Sequence, residues 1–319
     1  MASFKPSKIL IFGGTGTIGK YITASVLRAH PPFHVTLFTS PTTAATKTPL
    51  LDHWKSQGLS VITGDVTSPT DVSAAYRGID TVISAVGRGA LQVQIELLRL
   101  AEASDSVQWF LPSEYGTDIE HNAKSPNEKP HQLKLKVRKF VREEIRRLKV
   151  TYVVTGPYFD MWVNAHPGVE RAGGFIPDKK EAYVIEDGEG KVGFCTMWDV
   201  GKFVAATLQH PQESFGKALK VQSFVVTPNQ VLAEYEKQTG SKFSVTKTPL
   251  DEVRRLEAKA WEEGSPVATT FTLRRIWAEG GTLYEKNDND VVGVKPEDLE
   301  TVEDGVRKAL AGGYKNDTF

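Results

Sequence analysis

A glycine-rich turn directly after an apolar segment constrains this chain more than any other feature. Ile9-Leu-Ile-Phe12 leads into Gly13-Gly-Thr-Gly-Thr-Ile-Gly19, and an amphipathic segment follows. In a strand-turn-helix unit, such glycines permit the tight turn, let backbone N–H groups approach a pyrophosphate and allow close contact between helix and strand. The turn therefore predicts a dinucleotide site at the start of the first helix. We expect its contacts to include Gly13, Thr15, Gly16, Thr17, Ile18 and Gly19.

Further apolar segments alternate with charged, helix-like segments through the first half of the chain. They cover residues 34–38, 59–62, 81–86, 107–111 and 150–154. Strands this apolar are buried on both faces, as in parallel sheets covered by helices. Right-handed crossovers then favour an α/β fold, a Rossmann-type doubly wound parallel sheet, over residues 1–156.

The pattern changes after residue 156, where glycines and prolines cluster before a predicted strand at 183–185. A helix is expected from Trp198 to Gln209, packed back on the sheet. Four more helical segments follow, at 228–238, 249–263, 266–279 and 296–311. We expect residues 157–319 to form a smaller, mostly helical substrate-binding lobe, with some segments near 182–222 packed on the first domain.

Composition excludes several classes of function. Lys plus Arg and Asp plus Glu both number 39, so no bulk charge attracts nucleic acid or an anionic membrane. No apolar stretch is long enough to span a bilayer, the N-terminus lacks a secretory signal pattern, and the single cysteine, Cys195, cannot form an internal disulfide. We expect a cytoplasmic monomer or homodimer, without nucleic-acid or membrane partners.

Metal and hydrolase chemistry are also disfavoured. The seven histidines show no zinc-ligand spacing, so no metal site is predicted. Ser113 lacks the G-x-S-x-G context of a hydrolase nucleophile.

The second predicted strand ends without an acidic residue. A carboxylate about twenty residues after the glycine turn usually binds the ribose 2′-hydroxyl of NAD. Here the chain reads Thr39-Ser40-Pro41, which favours NADPH, with Thr39, Ser40 and Lys47 as contacts to the 2′-phosphate. Lys47 is also compatible with an ordinary solvated loop lysine. Two more loops at strand ends are expected to contact the cofactor, through Asp65 beside the adenine and through Ser84, Ala85 and Val86 beside the diphosphate and ribose.

A lysine on a predicted helix is the candidate catalytic base. None of the nine tyrosines is followed by lysine four residues later, so the Tyr-x-x-x-Lys pair of short-chain dehydrogenases is missing. On a helix from Pro130 to Leu148, Lys134 lies within the apolar arc, whereas Lys136 lies outside it. Glu144 also falls inside the arc. A partly desolvated lysine has the lowered pKa that a general base needs, although such a stem often only covers apolar surface while its amine reaches water.

Three motifs together resemble a known family. Gly13-Gly-Thr-Gly-Thr-Ile-Gly-Lys20, Phe110-Leu-Pro-Ser-Glu-Tyr-Gly-Thr-Asp118 and Lys134-x-x-Val-Arg-Lys139 are similar to those of isoflavone, pinoresinol–lariciresinol and phenylcoumaran benzylic ether reductases, within the NmrA-like atypical short-chain dehydrogenases. The resemblance covers most of residues 7–210. It implies that Lys134, the first lysine of the third motif, is the general base and also contacts the cofactor. Ser40 stands where this family commonly has arginine, and Tyr115 where it has phenylalanine.

The same resemblance indicates the surroundings of the nicotinamide and substrate. Gly156, Pro157 and Tyr158 are expected to contact the cofactor. Substrate contacts are expected from Phe159, Met161 and Trp162 of the same segment. Two more are expected for reasons other than the resemblance: the hydroxyl of Tyr115, and His131 through its position beside Lys134.

The preferred hypothesis is an NADPH-dependent reductase of a small aromatic or conjugated substrate. The alternatives are an NmrA-like regulatory protein that senses NADP(H) without chemistry and a cofactor-dependent isomerase or cyclase on the same fold. The lysine motif favours an enzyme, because a sensor has no need of it.

Overall fold

A six-stranded parallel sheet organises the first half of the chain in the computed structural model, which describes residues 4–319. The strands are β1 (Lys8–Phe12), β2 (His34–Thr39), β3 (Ser60–Thr63), β4 (Thr81–Ser84), β5 (Trp109–Leu111) and β6 (Lys149–Val150). Their order, β3-β2-β1-β4-β5-β6, confirms the predicted Rossmann-type sheet. It reverses between β1 and β4, so a crevice opens beyond the carboxyl ends of these two strands.

Helices cover both faces of this sheet. They are α1 (Gly19–Leu27), α2 (Pro41–Thr46), α3 (Thr48–Ser56), α4 (Pro69–Ala75), α5 (Val93–Ala103) and α6 (Gln132–Glu144). Alternate residues of β1 enter different cores: Ile9 and Ile11 pack with Ile22 of α1, whereas Leu10 and Phe12 belong to the opposite core. This two-sided burial explains why β1 reads as a continuous apolar run.

The later half of the chain mixes helices and short strands. The helices are α7 (Phe159–Trp162), α8 (Met197–Gln209), α9 (Pro211–Ser214), α10 (Pro228–Thr239), α11 (Leu250–Glu262), α12 (Ala268–Ala278) and α13 (Val302–Leu310). The strands are β7 (Tyr152–Val154), β8 (Gly174–Ile176), β9 (Glu181–Ile185), β10 (Val192–Phe194), β11 (Ala218–Lys220), β12 (Phe224–Val226) and β13 (Ser244–Thr248). Among residues 4–319, no helix combines the length and apolarity that crossing a membrane requires.

Strands are more numerous in this half than the sequence predicted. β13, β9 and β8 form a separate three-stranded sheet, which contains the predicted strand at 183–185, and β10 pairs with β12. The helix α8 packs on the first half as predicted: a Cβ on Gly201 would lie 2.5 Å from the carbonyl oxygen of Tyr21 in α1.

The predicted strand at 150–154 is interrupted at Thr151. β6 pairs with β5, whereas β7 pairs in parallel with β11. The Thr151 hydroxyl accepts a hydrogen bond from the Trp109 indole (3.0 Å) and donates one to the Ser214 carbonyl (2.7 Å). Because Thr151 is fully buried, these two bonds satisfy a side chain that would otherwise disrupt the core.

The helix α6 ends at Glu144, four residues before the predicted end at Leu148. The Glu102 carboxylate accepts hydrogen bonds from the backbone N–H groups of Arg146 (2.9 Å), Arg147 (2.7 Å) and Leu148 (2.8 Å). Groups that would have continued the helix are bound to α5 instead, so the helical prediction for residues 145–148 is wrong.

Candidate active site

The glycine turn lies at the crevice between β1 and β4. Gly13 has a positive φ of +73°, and a Cβ there would lie 2.6 Å from the carbonyl oxygen of Ala85. A Cβ on Gly19 would collide with the carbonyl oxygen of Gly13. A Cβ on Gly16 meets a single neighbour within 4 Å, that same oxygen at 3.1 Å. Packing within the protein thus explains Gly13 and Gly19, whereas Gly16 leaves the turn open on one side, as a bound pyrophosphate requires.

The loop after β4 completes this side of the crevice. The Ala85 N–H donates to the Phe12 carbonyl (2.8 Å), which joins the loop to the end of β1. The Ser84 hydroxyl is buried and has no hydrogen-bond partner among residues 4–319. Buried hydroxyls rarely stay unpaired, so an unpaired one beside an open glycine turn fits a polar ligand such as a dinucleotide. The residues present therefore fit the expected cofactor.

The residues predicted to recognise the 2′-phosphate lie at the end of β2 and in the segment that follows it. Thr39 is 8% exposed, and Lys47 is exposed between α2 and α3. Ser40 is the N-cap residue of α2. Its hydroxyl accepts a hydrogen bond from the Thr43 N–H (3.1 Å) and donates one to the Thr43 hydroxyl (3.0 Å). The predicted adenine neighbour, Asp65, is exposed after β3, where its carboxylate binds the Thr67 N–H (2.8 Å).

A cavity of about 350 Å³ lies between the ends of these strands and the later part of the chain. Ten predicted site residues line it: Ile18, Val86, Tyr115, His131, Lys134, Gly156, Pro157, Tyr158, Met161 and Trp162. Residues predicted as cofactor contacts and residues predicted as substrate contacts thus line the same cavity.

Lys134 reaches this cavity from the first turn of α6. Its side chain is partly buried, and its ammonium group donates a hydrogen bond to the backbone carbonyl of Glu114. Burial lowers the pKa of Lys134 to about 8, assisted by the nearby charges of Arg88 and Arg138 and opposed by that of Glu114. Lys136, two residues along, is exposed. The apolar-arc argument therefore separated the two lysines correctly.

A buried ion pair holds the loop that carries this carbonyl. The Arg138 Nε lies 3.0 Å from Oε1 of Glu114, and their side chains are 3% and 2% exposed. Arg138 also binds Glu120 (2.9 Å) and lies over the Tyr152 ring, 4.6 Å from its centroid. The arginine of the third motif thus fixes the glutamate of the second.

Tyrosine and histidine side chains form another part of the wall. The Tyr158 hydroxyl donates to the Tyr115 carbonyl, whereas the Tyr115 hydroxyl is buried without a partner among residues 4–319. The Nδ1 of His131 lies 2.9 Å from the Ser125 carbonyl, so it carries the proton in the neutral ring. Nε2 of His131 is then a buried acceptor, unpaired within the described chain, and burial lowers the pKa of the imidazole.

Phe159 does not line the cavity, so we correct its prediction as a substrate contact. Its ring is fully buried among Trp162, Phe194 and Phe224, with ring centroids 5.1 to 6.1 Å away. A Cβ on Gly305 of α13 would also touch this ring. The short helix α7 turns Phe159 into the core and presents Met161 and Trp162 to the cavity.

A model of the NmrA-like family matches residues 5–274. The chain belongs to the NmrA-like family. It is similar to phenylcoumaran benzylic ether reductase PT1 of Pinus taeda, with 26% identity over 92% of both chains. Its fold is similar to that of AtPrR2 with NADP⁺ and (+)-pinoresinol, at a TM-score of 0.80 and 21% identity, covering 96% of this chain and 99% of that one. It also resembles the ternary complex of leucoanthocyanidin reductase from Vitis vinifera, at a TM-score of 0.76 and 23% identity over 96% and 100% of the two chains.

One wall of the cavity in this NmrA-like chain escaped the sequence analysis. Four residues of α12 line it: Thr270, Leu273, Arg274 and Trp277. The other three lie three, four and seven residues after Thr270, so all four share one face of the helix. This periodicity is the sequence feature that could have identified them. Loop residues add further lining that was not predicted: Gly87, Arg88, Leu91, Ser113, Gly116, Thr117, Ile119, Pro130 and His166.

Proposed function

We propose that this protein is an NADPH-dependent reductase of a small aromatic or conjugated substrate. The observation that carries the proposal is the amine of Lys134, which is desolvated in a cavity that Ile18 of the glycine turn also lines. A general base works best when its pKa lies near the operating pH, and the pKa of about 8 meets that condition.

The cofactor and the lysine have separate tasks. When bound, NADPH supplies a hydride from its nicotinamide ring. Lys134 then holds or moves the proton at a phenolic or enolic oxygen of the substrate, directly or through water. The Glu114 carbonyl accepts from the Lys134 ammonium group, so it directs the amine without neutralising its charge.

The lining supports an aromatic substrate. Tyr158, Met161, Trp162 and Trp277 surround the cavity with polarisable surface, which accepts flat rings by stacking or edge contacts. Similarity to phenylcoumaran benzylic ether reductase and to a structure that contains (+)-pinoresinol supports the same class.

The test is to monitor NADPH absorbance while the purified protein is mixed with isoflavones, lignans, quinones and conjugated ketones. We expect at least one compound to be reduced, with oxidised cofactor and reduced product in equal amounts. If none reacts and NADPH and NADP⁺ change the affinity for a protein partner differently, the sensor hypothesis is favoured. Conversion of a substrate without net oxidation of NADPH would instead indicate an isomerase or cyclase.

A further inference from the structure

Arg274 is a buried arginine without a carboxylate partner. It lies on α12, is 4% exposed and lines the cavity. Its Nη2 donates to the Trp162 carbonyl at 3.0 Å. Its Nη1 is buried and finds no hydrogen-bond partner among residues 4–319.

The next residue of the same helix is a partly buried arginine whose charge is paired in the ordinary way. Arg275 is 13% exposed, and its guanidinium binds the carboxylates of Glu257 (2.5 Å), Glu128 (2.7 Å) and Glu279 (3.0 Å). Buried charges in proteins are normally paired in this way, because removing an ion from water carries a large penalty. Arg274 departs from that rule inside the proposed substrate cavity.

The surroundings of Arg274 orient its guanidinium but do not neutralise it. The guanidinium carbon lies 5.4 Å from the ring centroid of Trp162 and 5.7 Å from that of Trp277, within range of cation–π contact. Burial lowers the pKa of Arg274 to about 9, which leaves it charged at neutral pH. Within the described chain, no Asp or Glu lines this cavity, whereas Arg88 and Lys134 also do. Arg274 also borders a second cavity, whose lining includes Glu186 and Asp187, but its guanidinium forms no hydrogen bond with either carboxylate.

We propose that Arg274 binds a carboxylate carried by the substrate, so that the substrate is an aromatic or conjugated acid. This inference rests on the proposed function. A guanidinium has paired, coplanar donors that match the two oxygens of a carboxylate, and the Nη1 protons of Arg274 are free to bind it. The phosphates of the dinucleotide are expected at the glycine turn, whose residues 13–17 do not line this cavity. A carboxylate bound by Arg274 would therefore belong to the substrate and not to the cofactor.

Matched acids and esters test this proposal by binding alone. Protein saturated with NADP⁺ is titrated calorimetrically with benzoate, cinnamate and 4-coumarate and with the methyl ester of each. We expect the best-bound acid to bind about tenfold or more tightly than its ester, because the ester keeps the ring but loses the charge. Arg274→Gln should abolish this preference and leave ester affinity within about twofold.

Two further variants separate charge from geometry and from fold. Arg274→Lys keeps the charge without the planar fork, so we expect it to retain part of the acid preference. Arg255→Gln removes an arginine whose side chain is 67% exposed on α11, and it should match wild type. Thermal unfolding by circular dichroism shows whether each variant folds. If Arg274→Gln does not fold, the proposal is judged from the ratio of acid affinity to ester affinity in wild type and in Arg274→Lys. A higher ratio in wild type than in Arg274→Lys supports it, and equal ratios contradict it.

The proposal is wrong if no acid binds more tightly than its ester in the wild-type protein. It is equally wrong if folded Arg274→Gln keeps the full preference for acids. Acid-selective binding without hydride transfer would leave this inference standing and reject the proposed reductase. Reduction of neutral compounds with no preference for acids would support the proposed reductase and reject the role of Arg274 in binding a carboxylate.

Discussion

The guanidinium of Arg138 and the carboxylate of Glu114 form a salt bridge, with Nε 3.0 Å from Oε1, in which both side chains are almost fully buried. The backbone carbonyl of the same glutamate accepts the hydrogen bond from Lys134. Arg138 and Lys134 lie one helical turn apart on α6, so both bind Glu114, in the loop after β5, from the same face of the helix. The ion pair therefore fixes the position of the Glu114 carbonyl oxygen, which accepts the hydrogen bond from the proposed base, Lys134.

Breaking this pair should destabilise the protein. We expect Arg138→Met to lower the free energy of unfolding by about 3–5 kcal/mol, because it leaves the Glu114 charge buried and unpaired. Urea titration measures the effect. Lys139→Met on the same helix is the control, since the Lys139 side chain is 67% exposed and lies 3.8 Å from Glu143. It should cost about 0.5 kcal/mol or less. Equal losses in the two variants would contradict the structural role given to Arg138.

Removing the amine of Lys134 should abolish turnover without unfolding the protein. Lys134→Met keeps the apolar stem and deletes the titrating group, so we expect turnover to fall by about 10²–10⁴ while NADPH affinity changes little. The measurement is steady-state kinetics with the reactive compound found in the substrate panel. Lys136→Met alters an exposed lysine of the same helix and should stay close to wild type. A wild-type rate in Lys134→Met would show that another group transfers the proton.

The pH dependence of kcat/KM should report the same amine. A general base must be unprotonated, and the pKa of Lys134 is lowered from 10.5 to about 8 by burial. We expect kcat/KM to rise with pH, to level off above about pH 8, and to lose this step in Lys134→Met. Activity that is flat between pH 6 and 9, or that falls across this range, would argue against a lysine base.

NADPH should bind more tightly than NADH. No carboxylate follows β2 to repel a 2′-phosphate, and Lys47 is exposed nearby. We expect a difference of at least about tenfold, measured by titrating both cofactors. Lys47→Gln should reduce the difference in affinity between NADPH and NADH. Lys55→Gln, on the exposed surface of α3 beside Asp52, should leave that difference unchanged. Equal affinities in the wild-type protein would remove Thr39, Ser40 and Lys47 from the proposed cofactor site.

A side chain at Gly16 should block the dinucleotide. We expect Gly16→Val to abolish binding of NADPH in calorimetric titration, because the Cβ and its methyl groups occupy the open side of the turn. Gly190→Val is the matched control, since a Cβ there meets nothing nearer than the Ala278 carbonyl oxygen at 3.9 Å. Both variants must still melt cooperatively. Unchanged affinity in Gly16→Val would mean that the turn is a connector without a ligand.

Local patterns predicted the parts of this molecule that local physics determines. The apolar run of β1 and the glycines after it follow from two-sided burial and a tight turn, and the position of Lys134 follows from helical periodicity. The end of α6 could not be predicted in this way, because it depends on Glu102, which lies more than forty residues earlier. The role of Arg274 was equally hidden, since its significance comes from the carboxylates that are missing around it in space. Phe159 was misassigned because one short helix, α7, divides neighbouring aromatic residues between core and cavity.

The acceptor that holds Lys134 is a peptide oxygen, and no substitution can delete a peptide oxygen. Substitution of residue 114 therefore cannot remove the acceptor that holds Lys134. The position of this oxygen can be changed through the length and path of the segment between Pro112 and Asp118, where one inserted residue would move the oxygen while all present side chains of the motif are retained. Loop length in that segment is thus a variable for tuning the lysine without substituting any residue of the motif.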